Sequence, residues 1–272
     1  MTTKVAKTDD IKKSLEEGSP IKPGMNLSSL LNTDIIRSRF ADVLGDKAAG
    51  FISSILSATS TNPALLTCDP MSVISAAMIA ATLDLEINPS LGFAHIVPYK
   101  DKASFQIGWK GIYQLAMRTG EYRTISISTV YEGEIKSHNK FTGAMEFVVD
   151  GKTSDTVAGY LLYFILLNGF EKYVYITAGN MEKHAKRYSQ SYKKGGGVWK
   201  DNFEAMAHKT VVKNGLGKFG ILSVKMKKAF DSDQALIDHE GKPTYVDTEA
   251  TPDIPFGDGP DAAAKPANDQ QL

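Results

Sequence analysis

The stretch TVAGYLLYFILLNGFEKYVYIT, residues 156–177, decides the fold. Two runs rich in β-branched and aromatic residues flank Asn168-Gly169, a dipeptide suited to a tight turn, so the segment reads as two antiparallel strands. The apolar run from Val157 to Phe170 is too short to cross a bilayer and reads as a buried strand. Upstream, YRTISISTVYEG (122–133) and AMEFVVDG (144–151) are further strand candidates, and Val149-Asp150-Gly151 supplies another short turn. Short connections between consecutive strands imply an antiparallel sheet.

Before the sheet, GFAHIVPYKDKASFQIGW (92–109) alternates around Lys100-Asp101-Lys102 and predicts a second hairpin, with Pro98 on an edge or irregular strand. In WKGIYQLAMRTG (109–120), Trp109, Ile112, Leu115 and Ala116 share one helical stripe while Lys110, Gln114 and Arg118 occupy another; Gly120 fits the C-terminal cap. Earlier helices are expected from Asp34 onward and after Asp69-Pro70, where MSVISAAMIAATLDL is apolar nearly all round and hence buried. After the sheet, Thr177 caps a helix, DNFEAMAHKTVVKNGLGKFG (201–220) forms another, and SVKMKKAF (223–230) closes the core. The expected fold is α+β, with helices packed on a small antiparallel sheet and a projecting β-hairpin. Residues 1–30 read as a mobile arm, 31–230 as the core, and 231–272 as an acidic, disordered tail.

The chain has 272 residues, 42% hydrophobic and 23% charged, which suits one large domain or two small ones. A lone cysteine, Cys68, excludes a disulfide framework and a multi-cysteine zinc site. The N-terminus lacks the apolar core of a signal peptide, so a cytoplasmic location without membrane attachment is expected. The formal net charge is zero, yet residues 231–272 carry ten acids against Lys242 and Lys265. Lys172–Lys228 carries thirteen lysines or arginines against Glu182, Asp201 and Glu204. A basic stretch followed by an acidic tail implies an anionic partner for the first and self-masking or protein docking for the second.

Covalent catalysis finds no footing. GGGVWK and GLGKFG lack the spacing and the preceding strand of a phosphate loop. His95, His138, His184, His208 and His239 stand apart and read as surface or satisfied core residues; Asp84 and Glu86 read as turn-forming. No nucleophile elbow and no paired cysteine and histidine is present, so neither cofactor nor metal is expected.

Nucleic-acid binding needs positive charge for phosphates and planar side chains near bases. Aromatic and basic residues adjoin at Trp109-Lys110, Tyr122-Arg123, Lys186-Arg187-Tyr188, Tyr192-Lys193-Lys194 and Trp199-Lys200. The candidate DNA-binding residues are Lys100, Lys102 and Gln106 on the hairpin, then Trp109, Lys110, Arg118 and Arg123. Lys183, Lys186, Arg187, Lys193, Lys194, Trp199, Lys209 and Lys213 complete the set. The run Gly195-Gly196-Gly197 reads either as a hinge closing over DNA or as a flexible connector.

Three segments in order resemble the RecT family of phage single-strand annealing proteins. They are LDLEINPSLGFAHIVPYK, GWKGIYQLAMRTG, and the helix carrying Trp199, Phe203, Met206 and Lys209-Thr210; the resemblance covers about residues 50–230. Met117, Val198 and Ala205 depart from that family's basic, proline and acidic preferences at those positions. The resemblance implies an ATP-independent recombinase of the bacterial host cytoplasm that binds single-stranded DNA, assembles into rings or helical filaments and anneals complementary strands into duplex. It further implies a phage exonuclease and the host single-strand binding protein as partners. The alternative class is a DNA-binding structural or adaptor protein without annealing activity.

Overall fold

The computed structural model describes residues 25–237 and 243–245. The assignments of residues 1–24 to the arm and of 238–242 and 246–272 to the tail lie outside the described residues. The described chain forms two compact units, one of residues up to Ile107 together with those from Asp231 onward, the other Gly108–Phe230.

The first unit opens with helices α1 (Leu27–Leu31), α2 (Asp34–Leu44), α3 (Ala48–Thr61) and α4 (Pro70–Thr82). Strands β1 (Ala94–Tyr99) and β2 (Lys102–Ile107) follow. Asn26 caps α1 by accepting the Ser29 amide at 2.8 Å, and Leu27, Leu30 and Leu31 are buried, so residues expected in the arm enter this core. Asp69 accepts the Met71 amide at 3.2 Å with Pro70 in the first turn of α4. That helix is buried through Val73, Ile74, Ala77, Ala80 and Ala81, and its alanines let neighbouring elements approach closely.

The hairpin pairs Ala94 with Ile107 through Tyr99 with Lys102, as the alternation requires. It does not project. The Asp69 amide donates to the Asp101 carbonyl at 2.6 Å and the Ala103 amide to Ser72 Oγ at 2.8 Å, pinning the turn to the start of α4. Ala103, Ser104 and Phe105 are buried in succession, so β2 is covered on both faces. Its outer edge is satisfied as well: the Gln234 amide donates to the Phe105 carbonyl at 2.9 Å, and the Ile107 amide donates to the Asp233 carboxylate at 3.1 Å. Asp233, 3% exposed, and the strand Ala235–Ile237 thus belong to this core, although composition alone assigns them to the tail.

The second unit contains α5 (Trp109–Met117) and strands β3 (Tyr122–Tyr131), β4 (Ile135–His138), β5 (Met145–Phe147), β6 (Val157–Leu166) and β7 (Glu171–Thr177). Helices α6 (Ala178–Tyr188), α7 (Gln190–Lys193), α8 (Val198–Asp201) and α9 (Phe203–Phe219) follow, and α10 (Val224–Ser232) leads out of the unit. The three-stranded sheet runs β3-β6-β7, antiparallel throughout, with Leu162 opposite Ile127 on one side and Val174 on the other. Both faces of β6 are covered, which is why its sequence is apolar instead of alternating. On one face Leu161 joins Val130, Met145 and Tyr175 beneath Ile135 and Tyr173. On the other, α9 lies close enough that a Cβ added to Gly215 would meet Leu162 and Val174.

This close approach sets a prediction. Alanine in place of an unconstrained helical glycine stabilises by about 0.5–1 kcal/mol, as expected for Gly217, where the added Cβ meets only Phe230 at 3.6 Å. Gly215→Ala instead overpacks the helix–sheet contact and destabilises by about 1–3 kcal/mol. Urea unfolding midpoints of the two variants should move in opposite directions.

Candidate nucleic-acid interface

Helix α6 begins where Thr177 Oγ1 accepts the Asn180 amide at 3.2 Å. Met181, His184 and Ala185 fall on its buried stripe, leaving Lys183, Lys186 and Arg187 exposed on the opposite side. Ser189 then caps α7, and Lys193 and Lys194 are exposed at its end. Glu182 is the only acid between residues 178 and 200. It pairs with Lys186 at 2.7 Å, an exposed i,i+4 contact worth little against bulk water. The Arg187 guanidinium stands 5.3 Å from the Tyr188 ring centroid. Five cations therefore lie on two consecutive helices almost without acids.

The glycine run has a specific structural task. The Gly196 amide donates to the Ser191 carbonyl and the Gly195 amide to the Tyr192 carbonyl, both at 3.0 Å, with Gly195 at φ 80: the Schellman arrangement that ends α7. Lys200 Nζ donates to the Gly195 carbonyl at 2.8 Å. Gly197, at φ 83, would drive any Cβ into the Ser191 side chain. The segment is a hydrogen-bonded cap between α7 and α8, with its glycines set by backbone geometry.

Behind the cations runs a chain of aromatic contacts. Trp199, 7% exposed, packs edge-on against Phe203 at 5.3 Å and lies 6.0 Å from His184 and 6.5 Å from Tyr192. Phe203 continues to Tyr160, Tyr160 to His208 at 5.7 Å, and His208 to Trp109 at 5.7 Å. Thr129 gives its single hydroxyl proton to Glu204 at 2.5 Å, so His208 Nε2, 3.1 Å from the same oxygen, must be the donor to it. Burial lowers the His208 pKa, with the Glu204 charge opposing in part.

The remaining candidates separate. Lys209 is 7% exposed and turned into the unit, so as folded its ammonium is not a surface group. Lys213 is half-buried with Nζ 5.9 Å from the Phe230 ring centroid. Trp109 is half-buried, while Lys110 is exposed and lies 5.8 Å from that indole. Arg118 is exposed at the end of α5, and Arg123 is exposed where a register shift interrupts the pairing of β3 with β6. In the first unit, Lys100 and Lys102 are exposed at the hairpin turn and Gln106 is half-buried on β2.

Phe203, His184, His208, Tyr160, Thr129 and Glu204 are not marked by sequence pattern as site residues, although Phe203 lies in one of the motifs; Tyr192 is marked only as the neighbour of Lys193 and Lys194. The adjacency of basic and aromatic residues marks the neighbourhood, but only sheet register shows that Tyr160 and Thr129 face α9. Asp84, at φ 52, pairs with Lys47 at 3.1 Å in a turn-forming role. Among the described residues no group of three or more histidines, cysteines or acids is arranged to hold a metal ion, and no helix is long and apolar enough to cross a membrane.

The sequence model of the RecT family matches residues 49–247. Uncharacterized protein YqaK of Bacillus subtilis (strain 168) is 45% identical over 229 residues, covering 84% of this chain and 79% of that protein. Protein RecT of Escherichia coli (strain K12) is 28% identical over 190 residues, covering 63% of this chain and 66% of that protein. The matched span includes every helix of the cationic surface and both ends of the aromatic chain.

His184 makes the packing of this surface sensitive to pH. Burial pushes its imidazole from the ordinary 6.5 down to about 4, and Nδ1 has no hydrogen-bond partner among the described residues. The unfolded chain therefore takes up a proton that the folded chain refuses, so stability is complete above pH 6.5 and falls as pH drops toward 4. Between pH 7 and 5 the loss from this residue is about 2 kcal/mol. His184→Phe keeps a ring in place and removes the titration, so its urea midpoint should change less over that interval than that of the unsubstituted chain.

Proposed function

We propose that this chain, which belongs to the RecT family, binds single-stranded DNA, assembles into rings or helical filaments and anneals complementary strands without ATP. The observation that carries the reading is the cationic surface of α6 and α7, which lies within the span shared with the family. Lys183, Lys186, Arg187, Lys193 and Lys194 face solvent there, and the one acid among them is already paired. Cations on short helices meet phosphates regardless of base identity, so binding is nearly independent of sequence and leaves the pairing edges of bases available. Trp199 and Phe203 support this surface from beneath, and stacking on bases falls to the half-buried rings of Tyr188 and Tyr192.

Annealing then needs no covalent step. Neutralising phosphates lowers the repulsion between two strands, and holding one strand extended removes part of the entropy that a second strand would otherwise lose in finding register. Base pairing and stacking supply the driving force. Family membership supports a setting in the cytoplasm of a bacterial host, with a phage exonuclease and the host single-strand binding protein as the proposed partners.

Two complementary labelled oligonucleotides mixed with the full chain, without nucleotide, test the reading. Duplex should form well above the spontaneous rate; tight binding with no acceleration favours a structural or adaptor role, and metal-dependent shortening favours a nuclease. In parallel, Lys193→Ala/Lys194→Ala should weaken single-strand binding and flatten the slope of log affinity against log salt by about 1.4, at about 0.7 for each phosphate that is no longer neutralised. An unchanged slope places the DNA elsewhere.

A further inference from the structure

The second unit has an exposed apolar patch away from α6 and α7. The β6–β7 turn carries Leu167, 65% exposed, and Phe170, 43% exposed; the link between α9 and α10 carries Ile221 at 38% and Leu222 at 43%. Tyr122 joins the two segments. Its hydroxyl accepts the Ile221 amide at 2.8 Å, and its ring packs edge-on against Phe164, which in turn contacts Phe170 at 6.1 Å. The Leu167 amide donates to the Glu121 carbonyl at 2.9 Å, holding the turn beside the same tyrosine. The turn and the link are thus held together through Tyr122. Lys225 and Lys228, exposed on one side of α10 while Met226 and Ala229 are buried on the other, follow Leu222 within two helical turns and supply cations on that side, whereas Glu171 at the β6–β7 turn is already taken by Tyr163 and Tyr173.

An apolar centre with cations on one side fits an acidic peptide that carries a short apolar core, and this chain contains one. Residues 247–261, DTEATPDIPFGDGPD, hold five acids and no lysine or arginine. Ile254 and Phe256 are the only large apolar side chains between residues 247 and 271, and they flank Pro255. The stretch carries three prolines, Pro252, Pro255 and Pro260, whose rings limit the backbone freedom that can be lost on docking. We infer that residues 247–261 dock on this patch, with Ile254 and Phe256 against Leu167, Phe170, Ile221 and Leu222 and the acids facing Lys225 and Lys228. The segment serves as a tether that covers the apolar surface and leaves the α6–α7 cations to DNA. Sparing those cations rests on the DNA-binding reading above, whereas the docking itself does not depend on annealing.

Replacing Phe256 with the photoreactive analogue p-benzoylphenylalanine in the full chain tests this directly. Irradiation should crosslink it to peptides containing residues 167–172 or 221–228. Lys225→Glu/Lys228→Glu should lower that yield about ten-fold, since two attractive contacts become repulsive. Crosslinks to residues 183–200, no crosslinks, or a yield insensitive to charge reversal would overturn the inference. So would an Ile221→Ser/Leu222→Ser variant that loses oligomer mass while its crosslinks persist, because the patch would then join copies of the chain.

Discussion

The contact between α9 and the β3-β6-β7 sheet is the constraint on which the second unit depends. Gly215 removes the one Cβ that would keep the helix from Leu162 and Val174, and the helix can then settle against the central strand. That seating brings Phe203 and His208 to Tyr160, and Trp199 and His184 follow through ring contacts. His184 belongs to α6, so the position of the cationic helices is fixed from the sheet outward. Dispersion between large rings is weak per atom and strong in sum, which makes the chain of contacts a stiff support for side chains that must stay extended toward solvent.

The 156–177 hairpin is legible in the sequence because two local signals agree there: a turn dipeptide at Asn168-Gly169 and apolar runs long enough for strands but too short for a membrane span. The hairpin at 92–109 is legible as a pair, while its setting is not. Its outer edge is closed by Asp233 and Gln234, more than a hundred positions away in a stretch whose acidity reads as a tail. Charge composition reports average solvation, and a single buried acid that accepts a backbone amide is invisible to it.

The cationic surface shows the same division. On α6, a clear apolar stripe at Met181, His184 and Ala185 defines the exposed side, and Lys183, Lys186 and Arg187 fall there as the periodicity requires. On α9 the buried residues Ala207, Lys209, Val211, Val212, Gly215 and Leu216 surround much of the helix, so periodicity gives no reliable outer face and Lys209 turns inward. Trp199 follows a glycine run that resembles a loose loop in composition, yet the Schellman cap and the Gly197 geometry lock it into the aromatic cluster. The neutral total charge divides in a related way along the sequence, into a basic stretch over 172–228 and an acidic one over 231–272.

The most direct test of the central claim is an electron cryomicroscopy reconstruction of the full chain after sequential addition of two complementary single strands. The account predicts neighbouring copies holding one continuous duplex, its phosphates along Lys183, Lys186, Arg187, Lys193 and Lys194. Duplex released from the protein, or nucleic acid held on a surface remote from α6 and α7, would contradict it.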